Sequence, residues 1–251
     1  MHNGFPMRRI GSAAVAGAAA LAVLAPAASA VDHAPVRQQT AAAQEHVSAQ
    51  EGAKKRLTVK GYVGYLEAKG TPAAKATLRS FRKLSPAQQT KFVGYLQSRE
   101  VYSAFLGALK GSTSTPHLRK PVAYNSDVRF VRDARITKKS SSSRTNTRIT
   151  YTMTEQIYGI AVTSEQLWVS YQTKSGKVTK VLGAGASVSN VNAALAIRHG
   201  KVERRKQGPG VFAETTVHAS PRYPGFGSRI VKEQRVDAGW KGTWKAVLRN
   251  A

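Results

Sequence analysis

The chain has 251 residues, a net charge of +26 at neutral pH and no cysteine. Disulfides, zinc sites of the cysteine type and lipid attachment at a cysteine are thereby excluded, so stability has to come from ordinary packed cores. The positive charge predicts attraction to polyanions, although charge alone confers no specificity.

Residues 1–30 have the pattern of a secretory signal. Arg8 and Arg9 precede an apolar run over 10–24, Pro26 breaks it, and Ala28-Ser29-Ala30 supplies a small-residue cleavage site. The run is shorter than the roughly 20 apolar residues of a membrane span. The expectation is cleavage near Ala30 and secretion by the Sec or Tat route, with no stable membrane anchor left. What remains carries 37 basic and 13 acidic residues, with the excess spread over both halves.

Residues 31–56 are rich in Ala, Gln and charge, and read as a flexible lead. A small helical domain is expected over 57–111. Val59, Tyr62, Val63 and Leu66 fall at the i, i+3, i+4, i+7 spacing of one helix face, and Gly70 is a natural stop. Thr71-Pro72 and Ser85-Pro86 are start signals, the second with Gln88 placed for a capping box. A fourth stripe comprises Val101, Tyr102, Phe105, Leu106 and Leu109, with Gly111 expected to end it. The pentads YVGYL (62–66) and FVGYL (92–96) nearly repeat, and both fall within helices. Their Tyr62/Leu66 and Phe92/Leu96 pairs predict packing seams. Gly64 and Gly94 predict a close helix crossing, which would offset their cost of about 1 kcal/mol against alanine.

Residues 112–127 hold two prolines and many small polar residues, and read as a linker. Beyond it the apolar period falls to two, which predicts an antiparallel β domain over 128–251. In the clearest hairpin, Ser175-Gly176 forms a two-residue loop that pairs Thr173 with Val178 and Val169 with Leu182. Further strands are expected at 128–136, 194–199, 211–218, 229–236 and 243–248. The fold class is therefore α+β: a small N-terminal four-helix unit followed by an antiparallel β-sandwich or open barrel.

Catalytic and metal-binding patterns are sparse. Five histidines follow the signal (His33, His46, His117, His199 and His218), and no two have the i, i+4 spacing of a zinc protease. Glu214 and His218 would share a strand face about 13 Å apart, too far for a direct hydrogen bond. The GAGAS run at 183–187 lacks the Lys of a phosphate loop and is expected to be a turn or bulge. Glu155, Glu165, Glu203, Glu214 and Glu233 read as counter-charges to the many arginines. No cofactor is indicated, and nothing fixes the oligomeric state.

The basic clusters carry more information. Arg135, Lys138, Lys139, Arg144 and Arg148 surround an expected serine-rich loop, and Lys201, Arg204, Arg205 and Lys206 an expected turn. If the two lie at one end of the β domain, they form a cationic rim for phosphates or sulfates. Trp240 and Trp244 are expected to share a buried strand face. The functional expectation is a non-enzymatic binding protein whose partner is an anionic polymer, such as cell-wall teichoic acid or nucleic acid. The alternative is a secreted hydrolase or antagonistic protein acting on nucleic acid or wall glycan.

Overall fold

The computed structural model describes residues 56–108, 110–113 and 117–250. The expected signal peptide, nearly all of the expected lead and Leu109 lie outside the described residues.

Four helices come first: α1 (Val59–Lys69), α2 (Pro72–Phe81), α3 (Pro86–Leu96) and α4 (Arg99–Gly107). Each starts on a hydroxyl. Thr58, Thr71, Ser85 and Ser98 accept from the backbone N–H three residues on, and so satisfy a donor with no intrahelical partner. At Ser85 the Gln88 side chain completes the capping box. Gly70 ends α1 in the left-handed conformation, φ 61°.

Both pentads bury their outer residues: Tyr62, Leu66, Phe92 and Leu96 are inaccessible to solvent. The rings of Tyr62, Phe81 and Phe92 stand 5.1–5.5 Å apart, two of the three contacts edge-on. The glycines depart from expectation. A Cβ on Gly64 or Gly94 would meet nothing within 4 Å, so no helix crosses closely there.

Two strands occupy the segment read as a linker: β1 (Gly111–Thr113) and β2 (His117–Ala123). Gly111 thus opens a strand and does not end a helix. Pro121 is tolerated in β2 because that strand lies at a sheet edge, where a missing N–H breaks no ladder. β2 joins β3 (Val128–Ser141), β4 (Arg144–Ile157), β5 (Ile160–Lys174) and β6 (Lys177–Asn190) in one antiparallel sheet of sequential order. The second sheet holds β7 (Leu195–His199), β8 (Glu203–Gln207), β9 (Gly210–Pro221), β10 (Ile230–Gly239) and β11 (Trp244–Asn250). Its order is β1-β11-β10-β9, and β7 and β8 pair with successive stretches of β9. The architecture is α+β with antiparallel sheets.

The β5–β6 hairpin turns on Ser175 (φ 48°) and Gly176 (φ 72°), with Lys174 opposite Lys177 and Thr173 opposite Val178, as expected. Val169, however, pairs with Ala184 and not with Leu182. Irregularities at Ser170/Tyr171 and Gln172/Thr173 each insert an extra β6 residue, and the register moves by two. GAGAS is accordingly ladder and not turn.

Helices and sheets share a continuous core. Phe105 meets Phe130 of β3 at 5.7 Å between ring centroids, Tyr102 meets Phe226 at 6.2 Å, and Tyr151 of β4 meets Trp244 of β11 at 5.1 Å. Buried Asn192 donates to the Leu96 carbonyl (3.0 Å) and fixes the end of α3 against the chain after β6. Tyr171 Oη donates to the Gly239 carbonyl (2.7 Å) and ties one sheet to the turn of the other.

Candidate functional site

The basic residues singled out in the sequence sit largely on strands. Arg135, Lys138 and Lys139 belong to β3, and Arg144 and Arg148 to β4; only Ser142 and Ser143 form the turn. The expected serine-rich loop is instead the tip of a long hairpin. Every residue between Val128 and Ser141 finds a cross-strand partner position. Likewise Arg204, Arg205 and Lys206 form β8 rather than a turn, and only Lys201 precedes it. All five β8 residues are exposed. An edge strand with four charged residues in five resists pairing with another chain.

Four hairpin tips converge at one end. Lys138 Nζ donates to the Lys241 carbonyl (3.1 Å), which brings the β3–β4 tip to the β10–β11 turn. A Cβ on Gly176 would stand 3.5 Å from the Trp240 ring, so the β5–β6 tip meets the same turn. Gly239 pairs with Gly210, which places the β8–β9 tip beside them. Lys139, Arg144, Lys174, Lys177, Lys206 and Lys241 are all exposed there. No acid occurs within 138–148, 174–180, 206–210 or 239–245, so this end is cationic without internal compensation. Arg204 lies farther along β8, and Lys201 farther still, away from the tip. Arg205 is stacked over Phe212 at 4.8 Å, with Arg235 on the same ring at 3.9 Å.

The tryptophans do not behave as a pair. Trp244 is buried at the start of β11, whereas Trp240 lies in the turn, 40% exposed. The turn at 239–243 breaks the strand that would have put them on one face. Lys241 Nζ sits 5.1 Å from the Trp240 ring centroid.

A groove of about 590 Å³ runs along the outer face of the five-stranded sheet, lined by Arg119, Arg135, Arg148, a row of threonines from β4, and Gln156 and Gln166. Asp133 holds Arg135 Nε at 3.2 Å and lies 3.5 Å from His117 Nε2. The Arg148 guanidinium sits over Trp168, its carbon 3.8 Å from the ring centroid. Beneath the indole are Gly183 and Gly185; a Cβ on Gly185 would stand 2.7 Å from Trp168 Nε1. The glycines of GAGAS therefore make room for a cross-strand tryptophan. Arg119 was not singled out in the sequence, because its segment reads as linker by composition.

The five glutamates read as counter-charges divide three ways: Glu203 is exposed on β8 and has no salt bridge among the described residues. Glu214 and Glu233 pair with Arg235 and Arg249, as expected of counter-charges. Glu155 and Glu165 do not. Both are buried on the core side of β4 and β5, and one oxygen of each lacks a hydrogen-bond partner among the described residues. Glu165 accepts from Tyr102 Oη at 3.2 Å. Burial is the main cause that raises each carboxyl to about 7; the Thr163 and Tyr102 hydroxyls oppose it at Glu155 and Glu165 respectively, and the Glu155 charge adds a smaller upward push at Glu165. Hydrophobic patterning concealed them, since both fall at inward positions of otherwise apolar alternation.

His199 and His218 occupy β7 and β9 of the other sheet. Their registers, opposite Val217 and Arg198, put them on opposite faces, and burial lowers the pKa of His199. Among the described residues no three His, Asp or Glu side chains are grouped to hold a metal, and no helix is long and apolar enough to cross a membrane.

No family model, curated protein or solved structure matches this chain.

Proposed function

We propose that the protein is a secreted, strongly basic binding protein that contacts an anionic extracellular polymer through the end where the hairpin tips meet. The finer architecture in this reading is a two-sheet sandwich that presents its turns as a cationic rim. The observation that carries it is the convergence of four tips whose exposed lysines and arginines have no acid among them. Uncompensated charge on turns supported by two sheets concentrates a positive field, which raises the local concentration of polyanions and their rate of encounter.

Binding of this kind releases counterions, so affinity falls steeply with salt. The test compares two quadruple variants by calorimetry on an anionic polymer. One neutralises Lys139, Arg144, Lys177 and Lys241 to Gln. The other neutralises Lys60, Lys75 and Lys91 on the helices and Lys83 in the turn between α2 and α3, all of them exposed. The tip variant should lose at least tenfold more affinity at about 100 mM salt and show a shallower salt slope. Equal losses would point to diffuse attraction and not a site.

A further inference from the structure

We propose that the outer face of the five-stranded sheet, centred on Arg148, binds a polyhydroxylated polymer by its phosphate or carboxylate groups; this rests on the polyanion reading above and supplies its ligand class.

The face is unlike a merely solvated sheet surface in two respects. Its outward positions on β3, β4 and β5 run in cross-strand rows: Asp133, Thr152 and Gln166; Arg135, Thr150 and Trp168; Thr137, Arg148 and Ser170. Among the described residues Asp133 is the one acid at an outward position of this sheet, and Arg135 and His117 already engage it. Arg119 and Arg148 are exposed and have no carboxylate partner among the described residues.

Arg148 is also preorganised. Its guanidinium carbon stands 3.8 Å from the Trp168 ring centroid, and the indole in turn occupies space that glycine at 185 leaves open, with Gly183 close beside it. A stacked guanidinium keeps its in-plane donors free for bidentate contact with an oxyanion and loses little freedom on binding. Around it the threonine hydroxyls and glutamine amides both donate and accept, in rows spaced about 4.8 Å across strands and about 6.7 Å along them. From Arg148 to Gln156 the groove extends about 26 Å, at 3.3 Å per residue. A chain of hydroxyl-bearing units with regularly placed anionic groups fits this chemistry.

Single-stranded nucleic acid fits it less well. Bases bind on open aromatic faces. Among the described residues the one aromatic on this face, Trp168, has glycine backbone on one side and Arg148 on the other.

The experiment uses the protein after removal of residues 1–30, with three probes: polygalacturonate, a glycerol-phosphate polymer and single-stranded DNA of matched charge. Arg119→Gln/Arg148→Gln should weaken binding to the polyol polymers by about tenfold or more, as expected for lost charge-assisted hydrogen bonds. Gly185→Ala removes no charge, but it displaces the indole and should weaken binding severalfold. The Trp168 indole N–H resonance should shift on titration in the parent protein. Whichever polyol polymer binds tighter identifies the anionic group. Thermal unfolding of each variant establishes that it remains folded.

A loss no larger than that of Lys60→Gln/Lys75→Gln would overturn the groove as the site while leaving a polyanion binder. DNA bound more tightly than both polyol polymers would overturn the ligand class. No binding of any probe by the parent at low salt would overturn the underlying reading and this inference with it.

Discussion

Replacing the two buried glutamates by glutamine should stabilise the protein at alkaline pH and do almost nothing at acid pH. Burial raises both carboxyls from about 4.5 to about 7. Between those values the folded chain keeps protons that the unfolded chain has lost, so stability falls as pH rises through the window. Below about 4.5 both states are protonated and the effect is absent; above about 7 it is complete. At about 1.4 kcal/mol per pH unit, each site costs the fold about 3 kcal/mol when ionised. The two interact, since the Glu155 charge raises Glu165, so they titrate as a pair and the individual losses need not simply add. Even one such loss is a large fraction of a typical total of 5–15 kcal/mol.

Glutamine reproduces the shape of the protonated acid, and its carbonyl can still accept from Tyr102. Urea unfolding of Glu155→Gln/Glu165→Gln and of the parent, followed by tryptophan fluorescence from about pH 4 to pH 8, gives the difference directly. The variant should match the parent within about 1 kcal/mol at the acid end and exceed it by about 3 kcal/mol or more at the alkaline end. Taking the difference cancels other titrations, including that of His199, whose lowered pKa pulls stability in the opposite direction. A difference that stays constant across the range, or that grows toward acid, would refute the reasoning.

Other perturbations read out the packing. Gly64→Ala and Gly94→Ala, where an added methyl meets nothing, should each stabilise by about 0.5–1 kcal/mol in urea unfolding, and destabilisation would restore the close-crossing idea. Phe81→Ala removes the ring that meets both Tyr62 and Phe92 and should cost about 3–5 kcal/mol in thermal unfolding; a cost below about 1 kcal/mol would show that the helical part is loosely packed. Ser85→Ala opens the capping box and should cost about 1 kcal/mol, whereas an unchanged melting temperature would mean that α3 is held by tertiary contacts alone.

The helices were legible because their signals are local. Hydroxyl caps, proline at the first turn and the buried pairs of the two pentads involve residues within one turn of each other. The β5–β6 turn was legible for the same reason, since Ser175-Gly176 carries its own backbone preference. What escaped depends on partners distant in sequence. The bulges that shift Val169 to Ala184 arise from the pairing of two whole strands. The role of Gly183 and Gly185 appears only with Trp168 on the neighbouring strand. β1 was hidden because its partner, β11, lies more than a hundred residues away. The basic residues were visible as clusters, but their shared end follows from hairpin lengths and from contacts between tips far apart in sequence, Lys138 with Lys241, Gly176 with Trp240 and Gly210 with Gly239. Glu155 and Glu165 were visible as acids and misread as counter-charges, because alternation does not say which inward position lies beneath a helix.

The most direct test of the binding account is a titration of isotopically labelled protein with a soluble anionic polymer at low salt, followed by backbone and indole resonances. The first shifts should fall within 138–148, 174–180 and 239–245 and along the outer face of β4, with the helices silent. Shifts spread evenly over the exposed lysines of the helices and the sheets would contradict it.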